Sequence, residues 1–409
     1  MTNILGIDFG TSNSAAAIAH DGHVFRIPVE AGTETLPTAV FFPVGGGMRI
    51  GAAAGRALVD GTEGRYMRAL KSVLGTSLLH ESRLIGGRRR SVADIIAAFL
   101  TELRTKAEAQ AGRRFTRVLS GRPVHFHADP ARDAQAEADL RACYLAAGFE
   151  EVSFMAEPEA AAVAAQGLGG ANDLGLIVDI GGGTSDFTVF RTQNAAPEIL
   201  ASHGIRLGGT DFDHAVSMAH AMPALGHGSQ LRREMGDGLL PVPVGIFNDL
   251  ATWAKIPFLY TPDTRRMVAG MVKLATDQQA ITRLATVLED ESGHDLAFAV
   301  ERAKIAANGG AADARIEMGF IERGLRPGVT PETLDAALAA FRSDLRRAAA
   351  ETLDRAGLPA SRIGRVILVG GSSLMGLVAD EAAALCPGAR ILRSEAFTAV
   401  VDGLALAAR

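Results

Sequence analysis

The chain has 409 residues, 48% of them apolar and 21% charged, with a formal net charge of -5. That length exceeds what one hydrophobic core usually organises, so two lobes are expected, and the composition excludes a disordered or fibrous chain. The charge balance leaves no footprint for nucleic acid, no apolar run is long enough to span a bilayer, and the opening MTNILGIDFG lacks the basic and apolar regions of a signal peptide. A cytoplasmic protein without nucleic-acid or membrane partners is therefore expected. The two cysteines, Cys143 and Cys386, lack metal or redox spacing and fit a reducing compartment.

Taken in chain order, residues 4–8 read as a buried strand, 10–14 as a turn and 15–19 as a returning strand. A hairpin is expected from 39–42 and 48–50, followed by a long helix over 92–111, a strand at 117–119 and a helix over 131–147. Gly112 and Gly148 stop the two helices. The opening grammar then repeats, with a strand at 176–180, a turn at 181–185 and a strand at 187–190. Superposing the repeats sets Asp8 on Asp179, Gly10 on Gly181 and Ser14 on Ser185, which points to two similar halves. Residues 214–300 read as mostly helical and hold the single tryptophan, Trp253. Helices over 331–356 and 374–385 flank a strand at 366–369, so the class is α/β.

The chemistry sits in the two turns. Asp8-Phe9-Gly10-Thr11-Ser12-Asn13 and Asp179-Ile180-Gly181-Gly182-Gly183-Thr184 each join an acidic strand end to a glycine-bearing hairpin. Glycine removes the side-chain wall, so backbone N–H groups can close on a phosphate, and Thr11, Ser12, Asn13 and Thr184 add side-chain donors. A carboxylate beside each loop suits phosphate-bound Mg²⁺, which keeps its waters and takes few protein ligands. A single such loop would be an ordinary tight turn. Two matched copies, each with its aspartate, favour phosphate binding.

GIDFGTSNS and IVDIGGGTSDF resemble the two phosphate loops of the heat-shock 70-kDa (DnaK-type) chaperone family. Further motifs follow in family order: PTAVFF with IGAAA, MRALKSVLG, MAEPEAAAVAAQG, IRLGGTDFD, ILVGGSS and VVDGLALAA. The resemblance implies the actin-like/sugar-kinase/heat-shock ATPase superfold, with a duplicated ribonuclease-H-like core in its two lobes. Lobe I would span 1–171 (core 1–36 and 113–171, upper subdomain 37–112) and lobe II 172–409 (core 172–212 and 311–409, enlarged upper subdomain 213–310). It implies ATP or ADP and Mg²⁺ as ligands, with client or co-chaperone proteins as partners.

On the same resemblance Asp8 and Asp179 hold hydrated Mg²⁺, with Glu157 in its outer shell. Lys71 is the catalytic lysine, and Thr184 positions the attacking water or binds the γ-phosphate. Gly10, Gly181, Gly182, Gly183, Gly208 and Gly209 border the phosphates, while Gly370, Gly371 and Ser372 form the adenosine loop. Glu301, Lys304 and Asn308 share one helix face at i, i+3 and i+7 and correspond to the family's ribose and base contacts. Taken alone, Lys71 would be a solvated lysine and Glu157 a helix-start residue, because Glu-Pro before an alanine run also signals an N-terminus.

This chain departs from the family at Ile305 and Leu374, where two arginines usually sandwich the adenine. Losing their cation–π contribution predicts weaker adenine-nucleotide binding. The stretch from Asp213 to Glu301 is longer than its family counterpart, and the sequence given stops at Arg409 after the last motif. In this it resembles the YegD-type bacterial relatives that keep only the ATPase portion. His125, His127 and Asp129 fall on one face at period two if the segment is a strand, for which strand packing is favoured over a metal site. Arg88, Arg89 and Arg90 read as a solvated loop, and Cys386 as a core thiol. The leading expectation is a slow Mg²⁺-dependent ATPase with lobes that open and close. The alternatives are a nucleotide-binding scaffold or pseudo-chaperone with little turnover, or a small-molecule kinase of the same superfold.

Overall fold

The first apolar run forms β1 (Ile4–Phe9), which turns back as β2 (Asn13–His20) and then β3 (His23–Arg26). β4 (Arg117–Arg122) and β5 (Glu151–Ala156) add in parallel on the other side of β1, so the order is β5-β4-β1-β2-β3. The structure is a computed structural model, and it describes residues 3–30, 32–164, 173–193, 196–393 and 398–408. A second sheet repeats the plan with β6 (Leu174–Ile180), β7 (Ser185–Gln193), β8 (Ala196–Ile205), β9 (Arg365–Val369) and β10 (Arg390–Arg393). Its order is β10-β9-β6-β7-β8, again with two antiparallel pairings on one side of the first strand and parallel ones on the other.

The helices repeat as well. α1 (Val92–Ala111) precedes β4, α2 (Pro130–Ala146) joins β4 to β5, and α3 (Glu157–Ala164) follows β5. In the second half α4 (Pro331–Arg355) precedes β9, α5 (Gly376–Leu385) joins β9 to β10, and α6 (Ala399–Ala407) comes last. α1 is bounded by a capping box, in which Ser91 and Asp94 satisfy each other's backbone N–H, and by Gly112 in the left-handed conformation. Between β3 and α1 lies a three-stranded sheet containing Ala39–Pro43, Arg49–Ile50 and Gly64–Arg68, which holds the hairpin expected at 39–50.

By internal contacts the chain divides into two units, Met1–Gly209 with Arg342–Arg409, and Thr210–Phe341. Both repeated sheets lie in the first. The division expected at residue 171 falls outside the described residues, as do Ala165, Gln166 and Gly167 of the MAEPEAAAVAAQG motif. In the second unit the expected helical content appears as Pro262–Leu274, Gln278–Glu289 and Gly293–Asn308. A short hairpin of Gln230–Arg232 and Leu239–Pro241 interrupts it.

α6 lies against both sheets. Val400 and Leu404 pack with Ile177, Phe190, Ile367 and Val369, while Val401 and Ala405 pack with Ala15 and Ala17. Among the described residues no helix is long and apolar enough to cross a membrane.

Candidate functional site

The repeated register places the repeated chemistry. Asp8 is the next-to-last residue of β1 and stands opposite Ala15, one pair before the hairpin end at Phe9 and Ser14. Asp179 has the same place in β6, opposite Asp186 and one pair before Ile180 and Ser185. The two hairpin turns face one another, with Gly182 and Gly183 against Thr11 and Ser12. Asp8, Gly10, Thr11, Ser12 and Asn13 line one side of the resulting cleft, and Asp179, Gly181, Gly182 and Thr184 another. Lys71 and Glu157 line it too, with Gly370, Gly371 and Ser372 on the turn after β9 and Val400 from α6.

The segment 207–209 backs the second loop. Ser185 Oγ donates to the Leu207 carbonyl at 2.6 Å, and Gly209 N–H donates to the Gly181 carbonyl at 3.0 Å. Gly208 lies so close to the Gly182–Gly183 peptide that a Cβ there would collide with backbone. Gly183, Gly208 and Gly209 do not line the cleft as the other glycines do: Gly183 abuts Thr11, Gly208 the Gly182–Gly183 peptide and Gly209 the Ser372 hydroxyl.

Lys71 is carried by a 3₁₀ turn, Leu70–Val73, entered through Ala69 in the left-handed conformation at φ 57°. Its Nζ donates to Glu157 Oε1 at 2.6 Å, and both side chains are buried. Glu157 is the first residue of α3, so one residue both opens the helix and anchors the lysine. Burial opposes the Lys71 charge, but the carboxylates of Glu157 and Asp8 outweigh it and raise the pKa.

The carboxylates show the opposite strain. Burial and then Glu157 push Asp8 up to about 7, despite Lys71. Burial, Glu157, Asp186 and Asp8 push Asp179 well above the usual carboxylate range. Asp186, which the sequence reading passed over, is pushed up to about 8 by burial and Glu157. The Val124 N–H donates to Asp186 Oδ1 at 2.7 Å and the Thr184 side chain also bonds it, both partly offsetting that rise. The signal for Asp186 was its place opposite Asp179: directly opposed residues of an antiparallel pair project to the same face.

Asp8, Glu157, Asp179 and Asp186 share one buried ammonium, that of Lys71. Asp179 Oδ2 is buried without a hydrogen-bond partner. Both facts fit a divalent cation, which would relieve the repulsion and occupy the orphaned oxygen. Among the described residues, however, no three His, Cys, Asp or Glu side chains converge as direct ligands of a bare ion. The donor set therefore fits a cation that keeps most of its water, which is the habit of Mg²⁺.

Glu301, Lys304 and Asn308 lie in the second unit on the helix Gly293–Asn308. Lys304 is buried there and pairs with Asp213 at 2.7 Å, while the Trp253 indole N–H donates to the same carboxylate at 3.0 Å. Ile305 and Leu374 are both exposed, at 58% and 43%.

The histidine segment is a loop, not the strand that period-two spacing suggested. Asp129 caps α2 by accepting from the Arg132 N–H, and His127 is buried while His125 is exposed. The three share no ligand geometry. Arg88–Arg90 forms a short strand against Arg83–Ile85, and Cys386 is a buried free thiol.

The sequence profile of the family described as "Hsp70 protein" matches residues 4–230, more than half of the chain. Over 224 residues the chain is 34% identical to the chaperone protein DnaK of Endomicrobium trichonymphae, a match covering 53% of this chain and 34% of that protein. The aligned stretch is thus about a third of the length of that relative. With the duplicated α/β core and its paired aspartate loops already in place, this match identifies the chain as a member of the Hsp70 family, with that family's actin-like ATPase fold.

Proposed function

We propose that the chain binds ATP in the cleft of its first unit and hydrolyses it slowly to ADP and phosphate with Mg²⁺, nucleotide state setting how the two repeated halves close. The observation that carries this reading is the facing pair of aspartate–glycine loops with the Lys71–Glu157 pair on the same cleft. Phosphoryl transfer to water is chiefly positioning and charge neutralisation. The loop N–H groups and the side chains of Thr11, Ser12 and Asn13 receive phosphate oxygens, and Gly370, Gly371 and Ser372 take the adenosine end. Lys71 offers a compact, mobile positive charge to the terminal phosphate or the incoming water, with Glu157 holding it in reach. Thr184 orients the water or the terminal phosphate from the second loop.

Bound Mg²⁺ would neutralise phosphate charge, held through its waters by Asp8 and Asp179 with Glu157 further out. Family membership supports a chaperone setting, with client or co-chaperone proteins as partners and the cytoplasm as the compartment.

Single-turnover phosphate release from Mg²⁺–ATP tests the assignment. Lys71→Ala is expected to slow release about 100-fold while nucleotide affinity stays within a few fold. Equal release from wild type and variant would overturn it. A nucleotide-binding scaffold with little turnover is the competing reading, favoured by exposed Leu374 at the end of the adenosine turn. Nucleotide binding with no phosphate release from either protein would select it.

A further inference from the structure

The turn that carries Lys71 belongs to no sheet or helix of the repeated core. It leaves a small-sheet strand through the strained left-handed Ala69 and runs on through Gly75 at φ 70°. Three of its backbone groups are instead held by side chains from elsewhere. Arg206 Nη2 donates to the Ser72 carbonyl at 2.8 Å, His127 Nε2 donates to the Leu74 carbonyl at 2.7 Å, and Asp139 Oδ2 accepts from Gly75 N–H at 3.0 Å.

Arg206 Nη1 also donates to His127 Nδ1, at 3.0 Å. Guanidinium has no acceptor, so Nδ1 must carry the lone pair and Nε2 the proton that goes to Leu74. One bond therefore fixes the tautomer the next one needs. Arg206 directly follows β8 and directly precedes Leu207, the residue whose carbonyl receives Ser185 at the second phosphate loop. The same short stretch, 206–209, thus grips the second loop on one side and the Lys71 turn on the other.

We propose that His127 and Arg206 are positioning residues: together they lock the Lys71 turn at a set distance from the loop carrying Asp179, so that the lysine meets the reacting phosphate. Neither side chain lines the cleft itself. They act through Ser72 and Leu74, the backbone on either side of Val73, and so on transition-state geometry more than on nucleotide affinity. The role in turnover rests on the hydrolysis proposed above; the role in holding the turn does not.

The test uses the full chain and four variants: His127→Ala, His127→Gln, Arg206→Lys and Lys71→Ala. Amide hydrogen exchange of nucleotide-free protein reads the turn directly. In His127→Ala, residues 70–76 are expected to exchange roughly tenfold faster while α1 is unchanged. In single-turnover hydrolysis, His127→Ala and Arg206→Lys are expected to lower the rate roughly tenfold with ATP Kd unchanged within about twofold. His127→Gln keeps one donor and one acceptor and is expected to recover most of both losses. Unchanged exchange at 70–76 in His127→Ala would overturn the proposal whatever the rates do. So would a fall in affinity that accounts for the lost rate, or no recovery with glutamine. If wild type and Lys71→Ala release phosphate equally, the hydrolysis reading fails, and exchange alone then decides whether His127 and Arg206 hold the turn.

Discussion

A carboxylate that is buried among other carboxylates holds its proton more tightly when folded than when unfolded. Asp8 at about 7 and Asp186 at about 8 both lie well above the ordinary 3.8. The stability linked to their protonation is therefore fully present below about pH 4 and is lost as pH rises through about 7 and 8. Metal-free protein should accordingly become less stable between about pH 4 and 8, and divalent cation should stabilise it most at the alkaline end. Asp186→Asn keeps an acceptor for the Val124 N–H but removes the titration. A tenfold difference in proton affinity corresponds to about 1.4 kcal/mol, enough to move Tm by about 2 °C or more in a unit of this size. Melting followed by circular dichroism at several pH values should show a flatter pH dependence in the variant, and superimposable profiles would contradict the linkage.

At the scale of elements, two helices decide where Glu157 sits. α3 starts with Glu157 and is crossed by α6, and the approach is so close that a Cβ on Gly403 would run into the Ala160 carbonyl. Only glycine allows that crossing. α6 is anchored on its other side by Arg26, whose Nε and Nη2 donate to Asp402 at 2.8 and 2.7 Å in a bidentate pair. Gly403→Ala must therefore displace α3 or α6, and with α3 goes the anchor of Lys71. The expected cost is about 3 kcal/mol, at the upper end for overpacking, together with slower phosphate release. A Tm within a degree of wild type would show that the crossing yields more easily than the packing implies.

At the scale of the whole molecule, the repeated half-plan accommodates its insertions at unequal places. The small three-stranded sheet enters between β3 and α1, whereas the longer insertion lies between β8 and α4 and, with the first part of α4, makes up the unit Thr210–Phe341. That unit buries a charged pair, Lys304 with Asp213, whose carboxylate also accepts from the Trp253 indole N–H. Removing one partner of a buried pair leaves the other uncompensated, at about 3–5 kcal/mol. Lys304→Met should lower the stability of this unit accordingly, and Trp253, the only tryptophan, reports on it directly. Denaturant titration followed by its emission should shift to lower midpoint, and an unshifted curve would mean that Asp213 finds other partners.

The local grammar was legible without coordinates. Alternating and continuous apolar runs, punctuated by Gly10 and Gly181, located β1, β2, β6 and β7, and the matching aspartates marked them as a repeat. α1 was readable because its apolar spacing and its Gly112 stop are both local, period and cap lying within a few residues of one another. Period two failed at His125 and His127, because a Pro-led loop that closes on Asp133 overrides alternation. The hairpin pairing puts Asp186 beside Asp179, but nothing local brings Asp8 and Glu157 to the same pair, or marks Arg206 as the partner of a turn 134 residues away. The sequence by itself determined which residues bear charge and where the strands turn. Only the tertiary structure decided which of those charges meet, because burial and mutual repulsion depend on closing loops of a hundred residues, over which no periodicity carries information.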